Sequence, residues 1–555
     1  MLKKLSEYPI LDGFNRVQSA LIKENSLAIH SQDEFARLFP DLFRTFNDFD
    51  FLLENITPLI NTDKFVKKIN SWDKSKPICV LADYDVDGIT ACLIMLYTLD
   101  RLGYRVMFGV PDRLQSGYGM NSVLVQSKID AGAELFITVD NGITGREVTD
   151  YIHSKGKEII ITDHHLPDPS ATPLDSLIID PKYNDDEFTD SCGAVVALKL
   201  CYVLAKSNAI NIDFDMLGVL GGVATIADMM PLLGENREIV KLTLDKIDAH
   251  KRKFSFIHSF IYKFGGWDDF YSKPEYVATE DLISFSIAPS INAVSRVNGK
   301  VDELISALFE LMEDNNADIP SFTAYNITRK KETKDLLMSY KSDPRFTHST
   351  VFVYDNGSLD FNAKGIYGIL ANKINKRDNV VALIGATRVG DDSIIDLSGR
   401  SFPGYNLYEG FTRIKEKHPD WELSGGGHAA AMGMHIKNDP IILEAFKAEL
   451  EQDVIANSEE IPEEVLFEYE PEMEDEIIST ISQFRFFGNG FNQLLFSYTG
   501  PFTSYDFDSK DAVVGEYIFK RYLSKYTKPD GSLDTINFKL YFGNSNMIEF
   551  KEVRK

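Results

Sequence analysis

Short apolar runs and helical patterns alternate along residues 78–163. The apolar runs are 78–82, 105–110, 135–139 and 158–162, and each would be apolar on both faces of a strand. Strands of this kind, separated by helices, are typical of a parallel sheet in an α/β domain. Acidic residues follow three of the runs, which predicts that they lie at the sheet edge where open α/β folds bind ligands.

The rest of the chain divides by the same patterns. Residues 302–343 show a polar helical pattern with a basic middle at 329–331, and strand and helix patterns alternate again over 352–450. Aromatic and β-branched residues are frequent after 493, with a turn at 529–531. The predicted fold class is α/β. A parallel-sheet domain and a second, smaller α/β domain are joined by a long helix and followed by a small C-terminal β domain.

These patterns predict five segments along the 555 residues. They are an N-terminal helical region (1–70), the parallel-sheet domain (71–300), the connecting helix (301–345), the second α/β domain (346–450), and an acidic linker with the C-terminal β domain (451–555).

Composition favours a soluble, cytoplasmic protein. About 44% of the residues are apolar and 26% are charged, as in globular domains. The longest apolar stretch, 193–205, is too short for a membrane helix and contains Lys199. No apolar segment follows the N-terminal lysines, and the four cysteines lack a Cys-x-x-Cys spacing, so we expect neither a secretory signal nor disulfides.

The formal net charge of −26 argues against unspecific coating of nucleic acid. A cleft in an acidic protein can still be locally basic and can hold metal ions. Much of the acidity lies in residues 449–476, which contain no Lys or Arg and are typical of a solvated helix face or a linker.

Asp83, Asp85 and Asp87 alternate with two other residues directly after the first apolar run. Three acids this close repel one another unless a cation or strong hydrogen bonds compensate them. Carboxylate oxygens suit hard ions such as Mg²⁺ and Mn²⁺. A solvated acidic turn is the other interpretation, and this run alone does not decide between them.

Further acids and two histidines follow later apolar segments. Asp140 follows 135–139, and Asp228 follows 224–227. Asp163, His164 and His165 end an apolar strand, where consecutive histidines have no packing role. An Asp can orient one His while an imidazole binds metal. Together these residues are enough for two divalent ions, Mn²⁺ or Mg²⁺, which can activate water and stabilise both oxygens of a phosphoryl displacement.

The motifs resemble those of the DHH phosphoesterase superfamily. They are Asp-Tyr-Asp-Val-Asp-Gly (83–88), Val-Asp-Asn-Gly (139–142), Asp-His-His (163–165) and Ala-Asp-Met-Met-Pro-Leu (227–232). Segments 111–119, 287–296, 398–401, 425–433 and 487–490 are similar, within that superfamily, to those of RecJ-like single-stranded-DNA-specific exonucleases. The segments 398–401 and 425–433 resemble the DHH-associated second domain, and 487–490 resembles a turn that precedes an oligonucleotide-binding (OB) barrel. The small C-terminal domain is therefore expected to be OB-like.

The resemblance implies roles for individual residues. Asp85 and Asp140 would hold one ion, while Asp87, Asp140, His164 and Asp228 would hold the other, with Asp83 in support. His165 would contact the scissile phosphate or help the departing oxygen, and Asp163 and His164 would belong to the same catalytic set. The implied substrate-binding residues are Arg113, Asn292, Arg296, Ser398, Arg400, Gly427 and His428, with Arg113, Arg296, Ser398 and Arg400 on the 5′-terminal phosphate.

These residues also have interpretations that require no function. From residue type alone, Arg113 and Arg296 could be structural ion-pair partners rather than phosphate ligands. The glycine run before His428 could be a flexible turn, although the alanines that follow it suit a phosphate-binding loop at a helix N-terminus. Ser295, Met432 and Phe491 depart from the family pattern.

The resemblance implies a metal-dependent 5′→3′ exonuclease that hydrolyses single-stranded DNA to 5′-mononucleotides in DNA repair and recombination. The expected partners are single-stranded DNA with a 5′ phosphate and a single-strand-binding protein or helicase, with the chain itself a monomer. The alternatives are an oligoribonuclease or nucleotide phosphatase of the same superfamily, or a catalytically inactive DNA-binding scaffold.

Overall fold

The computed structural model of the protein describes most of the chain. The described residues are 2–29, 31–113, 119–250, 256–265, 278–299, 301–340, 350–355, 365–388, 391–459, 465–484, 487–498, 504–506, 511–514, 517–519, 536–542 and 548–552. Segment 114–118 of the family-like stretch and the turn expected at 529–531 lie outside these residues.

The strands fall into three sheets. They are β1 (Leu2–Lys4), β2 (Ile78–Ala82), β3 (Val106–Gly109), β4 (Leu135–Val139), β5 (Glu158–Thr162), β6 (Leu177–Ile179), β7 (Thr350–Asp355), β8 (Val381–Arg388), β9 (Asp391–Arg400), β10 (Ser424–His428), β11 (Ala431–Lys437), β12 (Leu466–Glu468), β13 (Leu495–Tyr498), β14 (Ser504–Asp506), β15 (Asp511–Val514), β16 (Tyr517–Phe519), β17 (Ile536–Phe542) and β18 (Ile548–Glu552).

The helices occur between these strands. They are α1 (Arg16–Glu24), α2 (Gln32–Leu38), α3 (Phe49–Asn55), α4 (Thr62–Asn70), α5 (Val86–Arg101), α6 (Ser122–Asp130), α7 (Arg146–Ser154), α8 (Pro181–Asn184), α9 (Gly193–Ser207), α10 (Phe214–Ala227), α11 (Glu235–His250), α12 (Phe256–Phe260), α13 (Glu280–Leu282), α14 (Ala288–Asn298), α15 (Asp302–Glu313), α16 (Thr323–Tyr340), α17 (Tyr367–Asp378), α18 (Leu407–Lys417), α19 (Pro440–Asn457) and α20 (Glu474–Phe484). Short 3₁₀ turns lie at Pro40–Leu42, Pro419–Trp421 and Pro471–Met473, and π-helical turns at Ile261–Gly265 and Ile283–Ile287.

The first α/β sheet is entirely parallel, in the order β3-β2-β4-β5-β6. Every side chain of the central strands β2 and β4 is buried, because helices α5, α9 and α10 pack against one face and a smaller apolar cluster covers the other. The parallel sheet predicted from the apolar runs is therefore confirmed. Its carboxyl edge carries the acidic residues.

The second α/β sheet has the order β10-β11-β9-β8-β7, in which only β7 and β8 are parallel among the described strands. Its core includes residues of α18 and α19. Helix α19 continues to Asn457, beyond residue 450, where the sequence pattern placed the end of this domain.

The connecting segment is two helices, α15 and α16, rather than one long helix. Asp314 accepts a hydrogen bond from the Asn316 amide at 2.9 Å, which makes an Asx turn just after α15. Pro320 lies between the helices and has no N–H to continue a helical hydrogen-bond ladder.

The third sheet joins both ends of the chain. Its order is β1-β12-β13-β17-β18-β16-β15-β14, with parallel and antiparallel pairs. The N-terminal region therefore contributes a strand as well as the expected helices. Its apolar side chains share one core with residues 465–496. The C-terminal β domain is present, and its OB-like character stays a prediction.

All four cysteines are buried free thiols, as expected for a protein without disulfides. Within the described part of the chain, no helix is both long and apolar enough to cross a membrane.

Candidate metal centre and anion site

Strand β2 delivers three aspartates into the start of helix α5. Asp85 is the N-cap of α5 and accepts the Gly88 amide at 3.2 Å, while Asp87 lies in the first helical turn. Both carboxylates are stabilised there by the positive end of the helix dipole. Asp83 is 2% exposed, and its Oδ1 has no hydrogen-bond partner among the described residues.

Asp87 is also fixed from the opposite side, by helix α9. Its two oxygens accept the Gly193 and Ala194 amides, each at 2.7 Å, at the first turn of that helix. Two helix N-termini therefore meet at one carboxylate, which fixes its orientation.

Asp140 follows β4 in a left-handed conformation, with φ of +59°. This conformation is uncommon for a residue with a side chain and is often found where function requires it. A Cβ on Gly193 would lie 2.6 Å from the Asp140 Cβ, so only glycine lets α9 begin this close to Asp140.

His164 lies at the centre of the acids. Its Nε2 is 3.1 Å from an Asp140 oxygen, 3.5 Å from Asp87 and 3.6 Å from Asp228. Burial lowers the pKa of His164 to about 4, so the imidazole is neutral near pH 7. A neutral imidazole is the form that ligates metal ions.

Asp163 holds His165 rather than facing the other acids. One Asp163 oxygen is 2.8 Å from His165 Nδ1 and also accepts the His164 amide, while the other accepts the Ile143 amide at 2.9 Å. Burial alone would raise the pKa of Asp163, but the hydrogen bond with His165 and the other contacts outweigh burial and lower this pKa to about 2. Burial also opposes the charged form of His165, but the hydrogen bond to Asp163 outweighs it and raises the pKa of His165 to about 9.

The side chains form three overlapping groups whose ligand atoms lie within 4.8 Å of one another. The groups are Asp83 with Asp85 and Asp140, Asp87 with His164 and Asp228, and Asp140 with His164 and His165. Asp140 belongs to two of them and therefore lies between the possible ion positions.

A divalent cation fits this donor set. Burial and neighbouring carboxylates raise the pKa values of Asp83, Asp140 and Asp228 well above the usual range. Among the described residues, Asp140 Oδ1 and both nitrogens of His164 lack a hydrogen-bond partner. Buried polar atoms normally have partners, and oxygen-rich groups with one imidazole suit Mn²⁺ or Mg²⁺.

Arginines from both α/β domains form a second cluster. The Arg113 guanidinium lies 4.4 Å above the Tyr84 ring, in the loop that also carries Asp83. Arg296, on α14, donates to the Gly365 carbonyl at 3.1 Å. Arg400, at the end of β9, donates to the Gly399 carbonyl at 2.7 Å, and Ser398 lies beside it at 3.5 Å.

Within the described part of the chain, Arg113, Arg296 and Arg400 form no ion pair, although the charge of Arg113 acts on the Asp83 carboxyl. Burial and then the charge of Arg113 lower the pKa values of both Arg296 and Arg400, and Arg329 also acts on Arg296. Repelling guanidiniums at one place favour an anion, which Arg can bind through two hydrogen bonds.

Two features of the anion site were not predicted from the sequence. Arg329 was interpreted only as part of a basic helix, although its basic neighbourhood was visible. The start of α17 also lies here, because a Cβ on Gly368 would be 2.9 Å from Arg400 Nη2 and 3.0 Å from Ser398 Oγ. That contact has no signal in the sequence.

The predicted phosphate loop at a helix N-terminus is wrong. Gly427 and His428 lie in strand β10, an exposed edge strand, and β11 follows after a two-residue turn. Short side chains fit this hairpin, so the alanine run that indicated a helix belongs to a turn and a strand. Partial burial, followed by the charges of His165 and Lys182, lowers the pKa of His428, which places it near the metal centre.

Asn292 lies one turn before Arg296 on α14, and its buried Oδ1 has no hydrogen-bond partner among the described residues. Lys182 is a residue that the sequence reasoning missed. Its Nζ donates to the His164 carbonyl at 2.6 Å, and Asp180 caps the helix that carries it. Asp180 follows β6, so the strand-end pattern that indicated Asp140 also marked this position.

Two family models match the chain. The DHH family N-terminal domain matches residues 77–221, and the DHHA1 domain matches residues 350–456. The first match spans the parallel sheet with most of the metal-centre residues, and the second spans the sheet with Ser398, Arg400 and His428.

Curated relatives share the name single-stranded-DNA-specific exonuclease RecJ. The Bacillus subtilis protein is 29% identical over 393 residues, which are 68% of this chain and 45% of that protein. The Thermus thermophilus protein is 29% identical over 408 residues, 72% of this chain and 55% of the relative. The chain thus spans about half the length of these relatives.

Solved structures share the fold. A manganese complex of RecJ from Thermus thermophilus aligns with a TM-score of 0.70 and 22% identity, covering 99% of this chain and 78% of that one. A structure described as exonuclease RecJ bound to manganese aligns with a TM-score of 0.56 and 26% identity, covering 73% of this chain and 96% of that one.

Proposed function

We propose, on the premise that the chain is a RecJ-like member of the DHH family, that it is a metal-dependent exonuclease that degrades single-stranded DNA from a 5′ end. The relatives named single-stranded-DNA-specific exonuclease support the substrate, and the manganese-bound neighbour supports the cofactor.

One observation carries this proposal. A carboxylate and histidine cluster that fits divalent ions lies close to an arginine cluster that forms no ion pair among the described residues. Arg113 stacks on Tyr84, and its charge acts on Asp83. Arginines without ion-pair partners beside a metal centre suit a phosphate ester that is bound at two places, the arginine cluster and the metal centre. The terminal phosphate would lie on the arginines, and the scissile bond would lie at the aspartates.

Asp83, Asp85, Asp87, Asp140, His164 and Asp228 would hold two Mn²⁺ or Mg²⁺ ions, with Asp140 shared between them. Such ions, when bound, polarise water and stabilise the charge of an in-line phosphoryl displacement. The residues of the chain fix the geometry, since Asp87 is held by two backbone amides and His164 by the Lys182 contact with its carbonyl.

His165 would act on the substrate. Asp163 binds its Nδ1, which leaves Nε2 on the opposite side of the ring, and the raised pKa keeps the metal-free imidazole protonated near pH 7. A proton on Nε2 would be donated to a phosphate oxygen or to the oxygen that leaves.

Arg113, Arg296, Ser398 and Arg400 would bind the 5′ phosphate, with Arg329 and the first turn of α17 beside them. Asn292, Gly427 and His428 would line the cleft. The release of 5′-mononucleotides, a role in repair and recombination, single-strand-binding or helicase partners, a monomeric state and a cytoplasmic location belong to the same proposal.

One assay distinguishes this function from its alternatives. The purified chain with Mn²⁺ or Mg²⁺ is given 5′-phosphorylated single-stranded DNA, the same DNA as duplex, and RNA of two to five nucleotides. Loss of the single strand from its 5′ end supports the proposal. Cleavage of the short RNA alone indicates an oligoribonuclease, and binding without cleavage indicates a scaffold.

A further inference from the structure

The loop that carries Asp228 is held by its own helix as far as Met230 and by more distant residues beyond that point. Asp228 follows the last residue of α10, and Met229 then adopts a left-handed conformation, with φ of +56°. The Met229 side chain is 68% exposed, so packing does not fix it. The Met229 amide donates to the Ile226 carbonyl at 3.2 Å and the Met230 amide to the Thr225 carbonyl at 3.0 Å, so α10 ends in a Schellman motif that accounts for this conformation.

Contacts beyond this helix end come from the Asn236 side chain, which donates to the Pro231 carbonyl at 3.0 Å, and from residues 488–490, which are about 260 positions away in the chain. The Asn489 side-chain amide donates to the Met229 carbonyl, and the Asn489 carbonyl accepts the Leu232 amide at 2.9 Å. One residue therefore holds the loop on both sides of Pro231. A Cβ on Gly490 would lie 3.0 Å from the Pro231 Cβ, so the two turns are in close contact.

The turn at 488–490 has a rigid base. Gly488 and Phe491 exchange backbone hydrogen bonds at 2.9 and 3.1 Å, and the Phe487 and Phe491 rings stack at 5.2 Å. Phe491 is fully buried against Phe39 and Phe484. Strand β13 of the third sheet begins four residues later.

We propose that Asn489 is a positioning residue for the metal centre, which holds Asp228 in place by bracing the loop 229–232. The inference rests on the proposed role of Asp228 as a metal ligand. It connects the metal centre to the C-terminal sheet, so that ion binding at Asp228 and order at residues 488–490 stabilise each other.

Asn489 is exposed, so its replacement leaves the core intact. Asn489→Asp keeps the size of the side chain and removes the donor to Met229. Asn25→Ala is the matched control, because Asn25 donates its side-chain amide to the Asn492 carbonyl at 2.9 Å, three residues from Asn489, and does not contact the Asp228 loop.

The experiment measures Mn²⁺ binding by calorimetry on the 555-residue protein, together with amide exchange of Met229, Met230 and Leu232 in the metal-free state. We expect N489D to bind Mn²⁺ about 10-fold more weakly, at the lower end of the effect of residues that support metal ligands. The Leu232 amide should also exchange faster, while N25A matches the unsubstituted protein in both measurements.

Asp228→Asn distinguishes a failure of the Asn489 brace from a failure of the ligand role of Asp228. If D228N weakens Mn²⁺ binding and N489D does not, the brace is overturned and the ligand role of Asp228 stands. If D228N binds Mn²⁺ normally, the ligand role itself fails, and the inference fails with it. Equal loss of binding in N489D and N25A would also overturn it, because the effect would then be general loosening of the C-terminal region.

Discussion

At the scale of single residues, substitution of Asp140 is expected to lower turnover the most. It belongs to two of the possible ligand groups and has a left-handed backbone. Asparagine tolerates that conformation, so Asp140→Asn changes the charge and not the fold. Mutation of a residue that only supports a metal ligand already lowers metal affinity or activity by about 10–100-fold. We therefore expect the loss of a shared ligand to lower turnover by more than about 100-fold.

Asp185→Asn is the control for this substitution. Asp185 is an exposed aspartate with φ of +60°, it caps α8, and it belongs to none of the possible ligand groups. The D185N protein should degrade single-stranded DNA at the normal rate. An active D140N protein with an unchanged melting temperature would remove Asp140 from the shared position.

Arg400 tests the anion site separately from the metal centre. Charge-assisted hydrogen bonds contribute roughly 1.5–3 kcal/mol, so Arg400→Ala should reduce the preference for a 5′-phosphorylated over a 5′-hydroxyl strand by about 10-fold or more. Arg377→Ala is the control, since Arg377 pairs with its neighbour Asp378 on the surface. Competition between the two labelled strands measures the preference. An unchanged ratio in R400A would exclude it from the phosphate site.

At this scale the sequence identified residues with a chemical signature and missed residues that act by proximity. The acids and histidines at strand ends were recognisable because such residues have no packing role after apolar runs. Gly193 and Gly368 matter because a side chain at either position would collide with Asp140 or Arg400, respectively. Only the folded chain shows these close contacts. Phe491, a departure from the family pattern, is explained by its place in an aromatic core.

At the scale of elements, the N-terminus of α9 is expected to set the position of Asp140. Gly193→Ala would put a methyl group against Asp140 while it leaves the hydrogen bonds to Asp87 possible. Overpacking of this kind costs typically about 1–3 kcal/mol. We expect Mn²⁺ affinity and turnover to fall by roughly 10-fold, as when a supporting residue is lost.

Gly221→Ala on α10 is the matched helix variant. A Cβ there would lie 3.2 Å from the Leu198 side chain and 3.6 Å from Val195, with no acid among these neighbours. Alanine favours a helix over glycine by about 1 kcal/mol. G221A should bind Mn²⁺ normally. If G193A also binds it normally, the close approach of α9 does not position the site.

A second element-scale prediction concerns α18 and α19, which Asp453 joins. Arg413 donates to both Asp453 oxygens at 2.9 and 2.7 Å, and the Tyr405 hydroxyl donates at 2.7 Å. The Arg413 hydrogen bonds lower the pKa of Asp453. A carboxylate with a lowered folded pKa stabilises the fold above its unfolded pKa of about 3.9, and the stabilisation is lost as pH falls through the folded value.

Asp453→Asn should therefore melt at a lower temperature than the unsubstituted protein at pH 7, by an amount equivalent to about 1.5–3 kcal/mol. The difference should narrow as pH falls below about 4, because the unfolded carboxylate protonates there before the folded one does. Scanning calorimetry between pH 7 and 3 measures this, with the exposed Asp420→Asn as control. A difference that stays constant across the range would mean that charge does not stabilise this contact.

At the scale of the whole molecule, the two α/β domains were predictable and the joining of the chain ends was not. Short apolar runs separated by helical patterns specify a parallel sheet locally, so β2, β4 and β5 were found. Strand β1 has only three residues, and its pairing with β12 depends on partners more than 460 positions away. A short polar strand of this kind has no local periodicity to reveal it.

The last prediction concerns Arg237, which joins the N-terminal, metal-centre and C-terminal regions. Its fully buried guanidinium donates to Asp41 at 2.7 and 3.1 Å and to the carbonyls of Leu232 and Phe484 at 3.3 and 2.7 Å. Arg237→Met keeps the volume of the side chain but leaves the Asp41 carboxylate buried without its cation. Breaking a buried pair in this way costs about 3–5 kcal/mol.

The double variant Asp41→Asn with Arg237→Met shows whether the loss of stability in Arg237→Met comes from the unpaired charge of Asp41 or from altered packing. Asparagine at position 41 removes the buried charge, so the double variant should melt at a higher temperature than Arg237→Met alone. Because Leu232 lies on the loop that Asn489 braces, R237M should also weaken Mn²⁺ binding, and the double variant should not restore it. Recovery of both properties together would mean that the Asp41 charge, and not the lost bond to Leu232, disturbs the metal centre.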